Sequence, residues 1–378
     1  MRKIAVVVTA RPSFARIRTV LDHLAVDPLV DLRVIMAGSA LLHHYGDVER
    51  DCPYPVAARL FSTLAENTSE TSATETGVLT IKLSQTFAEM RPDLVVTIAD
   101  RHETLATAIA ASYQNLPLAH LQGGEHTGNI DDKVRHAVSS LADLHFPATA
   151  DAATRLAQMQ VKGHILMAGC PSIDLAARAA WTGRYQNSLV ILQHPVTTEE
   201  EEARAQIDAT YAAIRSWRQY GVIWFWPGQD AGSDRIAKRL REIEHTTTNI
   251  IFKRHMPAQE FLSLLRSTRV LVGNSSAGIR EGSYLGTPVV NIGTRQAGRQ
   301  CAENVRHVGY DAGEIDDAIR YQVDHGPYIL SALYGRGDAG PRIAAVLADA
   351  DREDVDRGAG ASRKPGCAEQ ELSAVGGV

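Results

Sequence analysis

Apolar residues in this chain come in short, continuous, β-branched runs, separated by longer stretches in which they recur every three or four positions. Runs at 3–9, 32–37, 56–61, 93–99 and 117–121 lack an alternating polar face, the pattern of strands buried on both sides of a parallel sheet. Between them, 14–25 sets Ile17, Val20, Leu21 and Leu24 on one helical stripe, and 72–89 and 104–112 also read as helices. Past a weaker stretch near 165–187 the pattern restarts. Strands are predicted at 188–192, 222–226, 249–252, 270–273 and 288–292. Helices are predicted at 199–218, 258–265, near 316–323 and at 342–350. Strand and helix alternation of this kind predicts an α/β protein with two Rossmann-like, doubly wound domains facing a cleft. The domains are expected at 1–170 and 171–350, with the last helix returning toward the first domain. From 351 to 378 the composition turns to Asp, Arg, Gly and Ala without periodicity, so a disordered tail is expected there, with Cys367 incidental.

Composition narrows the function classes. At 378 residues, with 44% hydrophobic and 22% charged residues, the chain has the make-up of a soluble two-domain protein. A net charge of −5 makes no electrostatic case for nucleic acid or an anionic membrane. No apolar run reaches the roughly 18 residues of a membrane span, and the short β-branched run after Met1-Arg-Lys reads as a core strand rather than a leader. Cys52, Cys170, Cys301 and Cys367 are far apart, with no CxxC or Cys/His cluster. Neither a disulfide framework nor a metal site is expected, and a reducing cytoplasm is the expected location.

Candidate chemistry gathers at the strand ends. The stretch Leu118-Ala-His-Leu-Gln-Gly-Gly-Glu-His-Thr127 is a strand that breaks at Gly123-Gly124 and presents Glu125 and His126. Beyond it a helix opens with Asp131 and Asp132 and carries Arg135 and His136 one turn on. Asp100-Arg101-His102-Glu103 follows the strand at 93–99, and Arg11 follows the first strand. Taken singly, each has a structural reading: a loop anchor, a solvated turn, or the acidic first turn that a helix dipole favours. Taken together, they put several carboxylates and an arginine on one rim. In the second half, Gly273-Asn-Ser-Ser-Ala-Gly278 joins a strand end to a helix start, where free N–H groups favour an anion, the competing reading being that Asn274 or Ser275 is only an N-cap. Ser275 and Ser276 add hydroxyls there, Glu281 suits a ribose, and His194, Arg295 and Arg299 also lie near strand ends of that half. Neither GxxxxGK[ST] nor GxSxG occurs. Carboxylates beside a positive pocket suit proton transfer next to a departing phosphate.

These residues, in this order, resemble the UDP-N-acetylglucosamine 2-epimerases, most closely the hydrolysing branch. The matching pieces are Arg11; Asp100-Arg-His-Glu-Thr104; His120-Leu-Gln-Gly-Gly-Glu-His-Thr127; Asp132 with Arg135-His136; Gln193-His-Pro195; Asp230 with Gly232-Ser-Asp234; Gly273–Gly278 with Glu281; and Asn291 through Arg295 to Arg299. The resemblance implies a fold of the glycosyltransferase-B type, UDP-N-acetylglucosamine as substrate, no metal, no NAD or other cofactor, and a homodimer. It also implies elimination of UDP to a 2-acetamidoglucal and protonation on the opposite face of C2. Asp100, Glu125 and Asp132 are the implied acid/base set, with His194, Arg11, Ser275 and Ser276 on the diphosphate. Arg135, His136, Asp230, Gly273, Asn274, Glu281, Arg295 and Arg299 complete the implied binding set. Three positions depart from the family pattern: Ala99 where Gly is usual, Asp132 where Glu is usual, and Gly228 where Asn is usual.

Two outcomes stand equal on the sequence: release of UDP-N-acetylmannosamine with UDP retained, or of N-acetylmannosamine plus UDP. A glycosyltransferase of the same fold and a non-catalytic nucleotide-sugar sensor are the competing readings.

Overall fold

Val-, Ile- and Leu-rich runs fold, in a computed structural model, into two sheets whose strand pairs are all parallel. The structure describes residues 1–43 and 48–349, so the tail expected from 351, Cys367 and the end of the helix predicted to 350 lie outside the described residues. The first sheet contains β1 (Arg2–Val8), β2 (Val30–Ala37), β3 (Val56–Leu60), β4 (Leu94–Ile98), β5 (Leu118–Leu121), β6 (Leu144–Phe146) and β7 (His164–Ile165). Its spatial order is β3-β2-β1-β4-β5-β6-β7. The second contains β8 (Ser188–Leu192), β9 (Gly221–Phe225), β10 (Ile250–Lys253), β11 (Val270–Gly273), β12 (Val289–Ile292) and β13 (Val305–Val308), ordered β10-β9-β8-β11-β12-β13. Both orders reverse direction once, between β1 and β4 and between β8 and β11. Ligands of open parallel sheets bind outside the carboxyl ends of the strands at such points. Those four strands run out into Arg11, Asp100, His194 and Asn274.

Helices cover both faces. Ile17, Val20, Leu21 and Leu24 of the helix Arg11–Leu24 are buried against Ile4, Val6 and Val34 of the first sheet. Burial of each such side chain contributes about 1.5–3 kcal/mol relative to exposure. Ile343, Ala344 and Leu347 of the helix Ala339–Asp349 join that same cluster. Asp174 links them: its carboxylate accepts from Thr19 Oγ1 at 2.8 Å and from the backbone N–H groups of Ala339 and Gly340 at 3.0 and 2.6 Å. Among the described residues no helix is long and apolar enough to cross a membrane.

The structure differs from the expected elements in three places. The helix predicted over 199–218 is a 3₁₀ turn (Thr197–Glu202) followed by an α-helix (Ala203–Ile214), with Glu199 at a non-helical φ of −126°. Glu199 is drawn aside because its carboxylate accepts from Thr294 Oγ1 at 2.5 Å, Gln206 Nε2 at 2.7 Å and Tyr310 Oη at 3.2 Å. The helix expected from Asn274 is two short ones, Ser276–Ile279 and Glu281–Leu285, separated at Arg280. Strands β6 and β7 were not legible because two or three residues are too few for a period to show, and β13 was not because Arg306 and His307 interrupt its apolar run.

Candidate functional site

A cavity of about 830 Å³ lies between the two sets of strand ends, a volume within the range of small-molecule pockets. Its second-domain wall begins where β11 stops. Gly273 has φ +136°, and a Cβ there would overlap the Leu192 carbonyl, so only glycine lets the chain turn this close to β8. The fully buried Asn274 side chain then ties the two strand ends together. Its Oδ1 accepts from the His194 N–H at 2.7 Å and its Nδ2 donates to the His194 carbonyl at 2.8 Å. Ser275 caps the short helix through the Ala277 N–H at 3.3 Å. Arg295 Nη1 and Gln296 Nε2 both donate to the Asn274 carbonyl.

Facing this wall are two arginines of the first domain. Arg16 donates to Ser276 Oγ at 2.8 Å, and Arg11 donates to His255 Nδ1. Burial, then the nearby Arg280, lower the Arg16 pKa to about 10. A guanidinium placed where its solvation is this poor gains from a bound anion. His194 is in the same position: burial first, then Arg295, push its pKa down to about 4, and its buried Nδ1 has no hydrogen-bond partner. One carboxylate oxygen of Glu281, another lining residue, is also buried and unpartnered. Arg11, Arg16, His194, Ser275 and Ser276 thus form a positive, donor-rich half of the cavity.

The other half carries paired carboxylates, but not the trio the sequence suggested. Asp100 and Asp131 line the cavity; Glu125 and Asp132 do not. Burial pushes Asp100 up, yet Arg135, Arg299 and Arg16 outweigh it and hold the carboxyl well below the usual range. Asp131 goes the other way, raised to about 6 by burial and by the neighbouring Asp100 charge, against the pull of Arg295. Asp132 is committed to its own loop. It accepts from the Thr127 N–H, Thr127 Oγ1 and Gly128 N–H, each at 2.8 Å, and pairs with Arg135 at 2.5 Å and His126 at 2.7 Å. Successive residues in a first helical turn point about 100° apart, so one of two adjacent aspartates sees the cavity and the other the loop. Nothing in the one-dimensional pattern says which.

Glu125 lies behind Arg299. Its carboxylate accepts from Arg280 Nη2 at 2.8 and 2.7 Å and stands 2.8 Å from Arg299. Arg280, with Arg299 and Arg135, outweighs the opposing effect of burial and holds the Glu125 pKa down at about 2. Because Arg280 also donates to Gln122 Oε1 at 2.7 Å, this cluster joins the end of β5 to the Ser276–Leu285 segment of the other domain. Arg135, fully buried, forks onto Asp100 and Asp132 and donates to the Glu125 carbonyl at 2.8 Å. His136 is on the same helix, outside the lining. Asp230 accepts from Arg101 Nη1 at 2.9 Å across the cleft and lies 3.9 Å from Arg295. Sequence reasoning had not singled out Arg16 or Arg280. The available signal was a charged residue beside the apolar stripe of its helix, as with Arg16 next to Ile17.

Comparison with known proteins finds similar chains. A family model described as UDP-N-acetylglucosamine 2-epimerase matches residues 22–348. The chain is 28% identical over 349 residues to a UDP-N-acetylglucosamine 2-epimerase of Neisseria meningitidis serogroup B, covering 89% of this chain and 92% of that protein. It is 30% identical over 363 residues to the UDP-N,N'-diacetylbacillosamine 2-epimerase (hydrolyzing) of Legionella pneumophila, covering 92% and 96%. Among solved structures, the Methanocaldococcus jannaschii UDP-GlcNAc 2-epimerase in complex with UDP-GlcNAc and UDP superposes with a TM-score of 0.76 at 16% identity, covering 91% of this chain and 99% of that one. At that identity the match speaks for the fold, which is the glycosyltransferase-B type.

Proposed function

This chain belongs to the UDP-N-acetylglucosamine 2-epimerase family, and from that premise we propose that it inverts C2 of UDP-N-acetylglucosamine and releases UDP. The observation that carries the reading is the divided cavity. One half is rich in donors suited to a diphosphate, and the other holds two half-buried carboxyls whose surroundings drive their ionisation apart. Such divergence separates a base from an acid at one site.

In the proposed course, Ser275, Ser276, Arg11 and Arg16 bind the diphosphate, and Glu281 takes the ribose. The C1–O bond breaks, its electron pair leaving with UDP, while Asp100, ionised, takes the C2 proton and C1=C2 forms. Charge on the departing phosphate oxygen is met by fixed donors, a term often worth several kcal/mol. His194, neutral in the free site, gains basicity as the diphosphate arrives and can then protonate the leaving group. Asp131, protonated below about pH 6, delivers a proton to C2 from the opposite face. Water adds its hydroxyl to C1 and returns its proton to a carboxylate, giving N-acetylmannosamine. We assign Asp131 the acid role that the family resemblance had put on Asp132, because Asp132 is saturated by hydrogen bonds from its loop. Loss of UDP is supported by the Legionella pneumophila relative, whose name carries the word hydrolyzing.

NMR of the products formed from UDP-N-acetylglucosamine in D₂O tests both parts. Deuterium at C2 and free UDP are expected. No deuterium at C2 would sink the epimerase reading, and turnover only with an added acceptor would favour a glycosyltransferase. A UDP-bound manno product would leave epimerisation standing and remove hydrolysis. Asp100→Asn should lower kcat by about 10²–10⁴-fold while UDP still binds; unchanged turnover would remove Asp100 from the chemistry.

A further inference from the structure

We propose that His120, buried in β5 and outside the cavity, is the positioning residue that holds the Asp100 turn and the Asp131 helix in one fixed relation. The proposal rests on the reaction argued above.

Ala99 ends β4 immediately before Asp100 and has φ +71°, a region that disfavours any residue carrying a Cβ. It is 2% exposed, so both its backbone polar groups need partners from protein. Its N–H donates to the Leu121 carbonyl of β5 at 3.0 Å. Its carbonyl is met by His120 Nε2, also of β5, at 2.8 Å. A carbonyl can only accept, so Nε2 carries the hydrogen and Nδ1 of the neutral ring is an acceptor. Nδ1 lies 3.1 Å from Ser139 Oγ, on the helix Ile130–Leu141, and that hydroxyl therefore donates. The imidazole thus spans the two elements that deliver the carboxylate pair: the β4 turn before Asp100 and the helix whose first turn holds Asp131. Gly123 leaves the room for it, since a Cβ there would lie 2.7 Å from Ser139 Oγ and 2.9 Å from His120 Nδ1. Burial also keeps the ring neutral, with a pKa lowered to about 4, so the tautomer holds at neutral pH.

Without the Nε2–H bond the Ala99 carbonyl is buried with no partner, and its peptide is free to rotate out of the disfavoured conformation. Asp100 would move with it. A misplacement near 1 Å costs about 10²-fold in rate.

Two substitutions separate the two bonds. Asn reaches about as far as Nδ1 and retains only the Ser139 contact; Gln reaches about as far as Nε2 and restores the donor to Ala99. His120→Asn should lower kcat at least tenfold with KM within about threefold of the wild type. His120→Gln should retain kcat within about threefold. Adding Ala99→Gly to His120→Asn should recover much of the loss, because glycine adopts the positive φ without help. Equal losses in the Asn and Gln variants, or no recovery with Ala99→Gly, would overturn the proposal. A second arm does not depend on the substrate: ¹⁵N shifts of the His120 ring at pH 7 should report a neutral Nε2–H tautomer. An Nδ1–H or charged ring overturns the proposal even if the enzyme is active. Wild-type protein with that tautomer but no deuterium incorporation at C2 from UDP-N-acetylglucosamine would show the functional reading, not the interlock, to be at fault.

Discussion

At the residue scale, what distinguishes the cavity carboxylates is their neighbours rather than their type. Asp100 sits among arginines and stays ionised, whereas Asp131 sits beside Asp100 and is raised to about 6. If Asp131 supplies the proton to C2, kcat/KM of the free enzyme should fall as pH rises through about 6. Asp131→Asn should cut kcat about 10²-fold or more and remove that limb from the pH–rate profile. His194 gives a test that needs no turnover. Its free-state pKa near 4 leaves it neutral at pH 7, and a diphosphate adds negative charge beside it, which raises the pKa. UDP binding should therefore take up a fraction of a proton at pH 7, and a larger fraction as pH falls toward 5. Calorimetry in buffers of different ionisation enthalpy measures this directly. The His194→Gln variant should show no such uptake.

At the element scale, the join between β8 and β11 decides whether the donor-rich side of the cavity exists. Gly273 allows the approach and Asn274 locks it, its side chain bonded to both backbone groups of His194. Asn274→Ala would remove the partner of both half-buried His194 backbone groups, at up to roughly 1–3 kcal/mol each. A fall in the thermal midpoint is expected together with at least tenfold weaker UDP binding. Gly273→Ala combines a left-handed backbone with a direct overlap on Leu192, so it should be worse than Asn274→Ala in both readouts. Circular dichroism melts and a UDP titration on the same preparations compare the two.

At the scale of the whole molecule, the domains are joined through buried charge. Glu125 of the first domain pairs with Arg280 and Arg299 of the second, with all three side chains nearly inaccessible. Buried pairs are not strongly stabilising when measured against an apolar replacement, but removing one partner strands the other and costs about 3–5 kcal/mol. Arg280→Met should therefore destabilise the fold by that order, as read from denaturant unfolding. The acid dependence follows from Glu125, whose folded pKa of about 2 lies below its ordinary 4.5. A lowered pKa contributes stability that is fully present above pH 4.5 and is lost as pH falls toward 2. The size is on the order of 3 kcal/mol, set by the shift. Glu125→Gln should lower stability at neutral pH and flatten that acid limb.

Much of this was legible in one dimension. Ten of the thirteen strands among the described residues, their parallel arrangement and the strand ends that carry Arg11, Asp100, His194 and Asn274 follow from where apolar runs stop and polar residues begin. Hydrophobic burial is set by local periodicity, and a parallel sheet puts the ends of its strands on one side. Which polar residue at a strand end reaches the cavity is another matter, because it depends on helix phase and on partners far away in the chain. Asp131 and Asp132 are adjacent and chemically alike, yet one lines the cavity and the other is held by Thr127, Gly128 and Arg135. Glu125 follows a strand end in the sequence, yet its carboxylate is taken by Arg280, 155 positions later. Local pattern sets the architecture and the inventory of ionisable groups. Which carboxyls are held ionised, which are occupied and which face the cavity depends on the fold, since charge pairing and desolvation are properties of residues brought together in space.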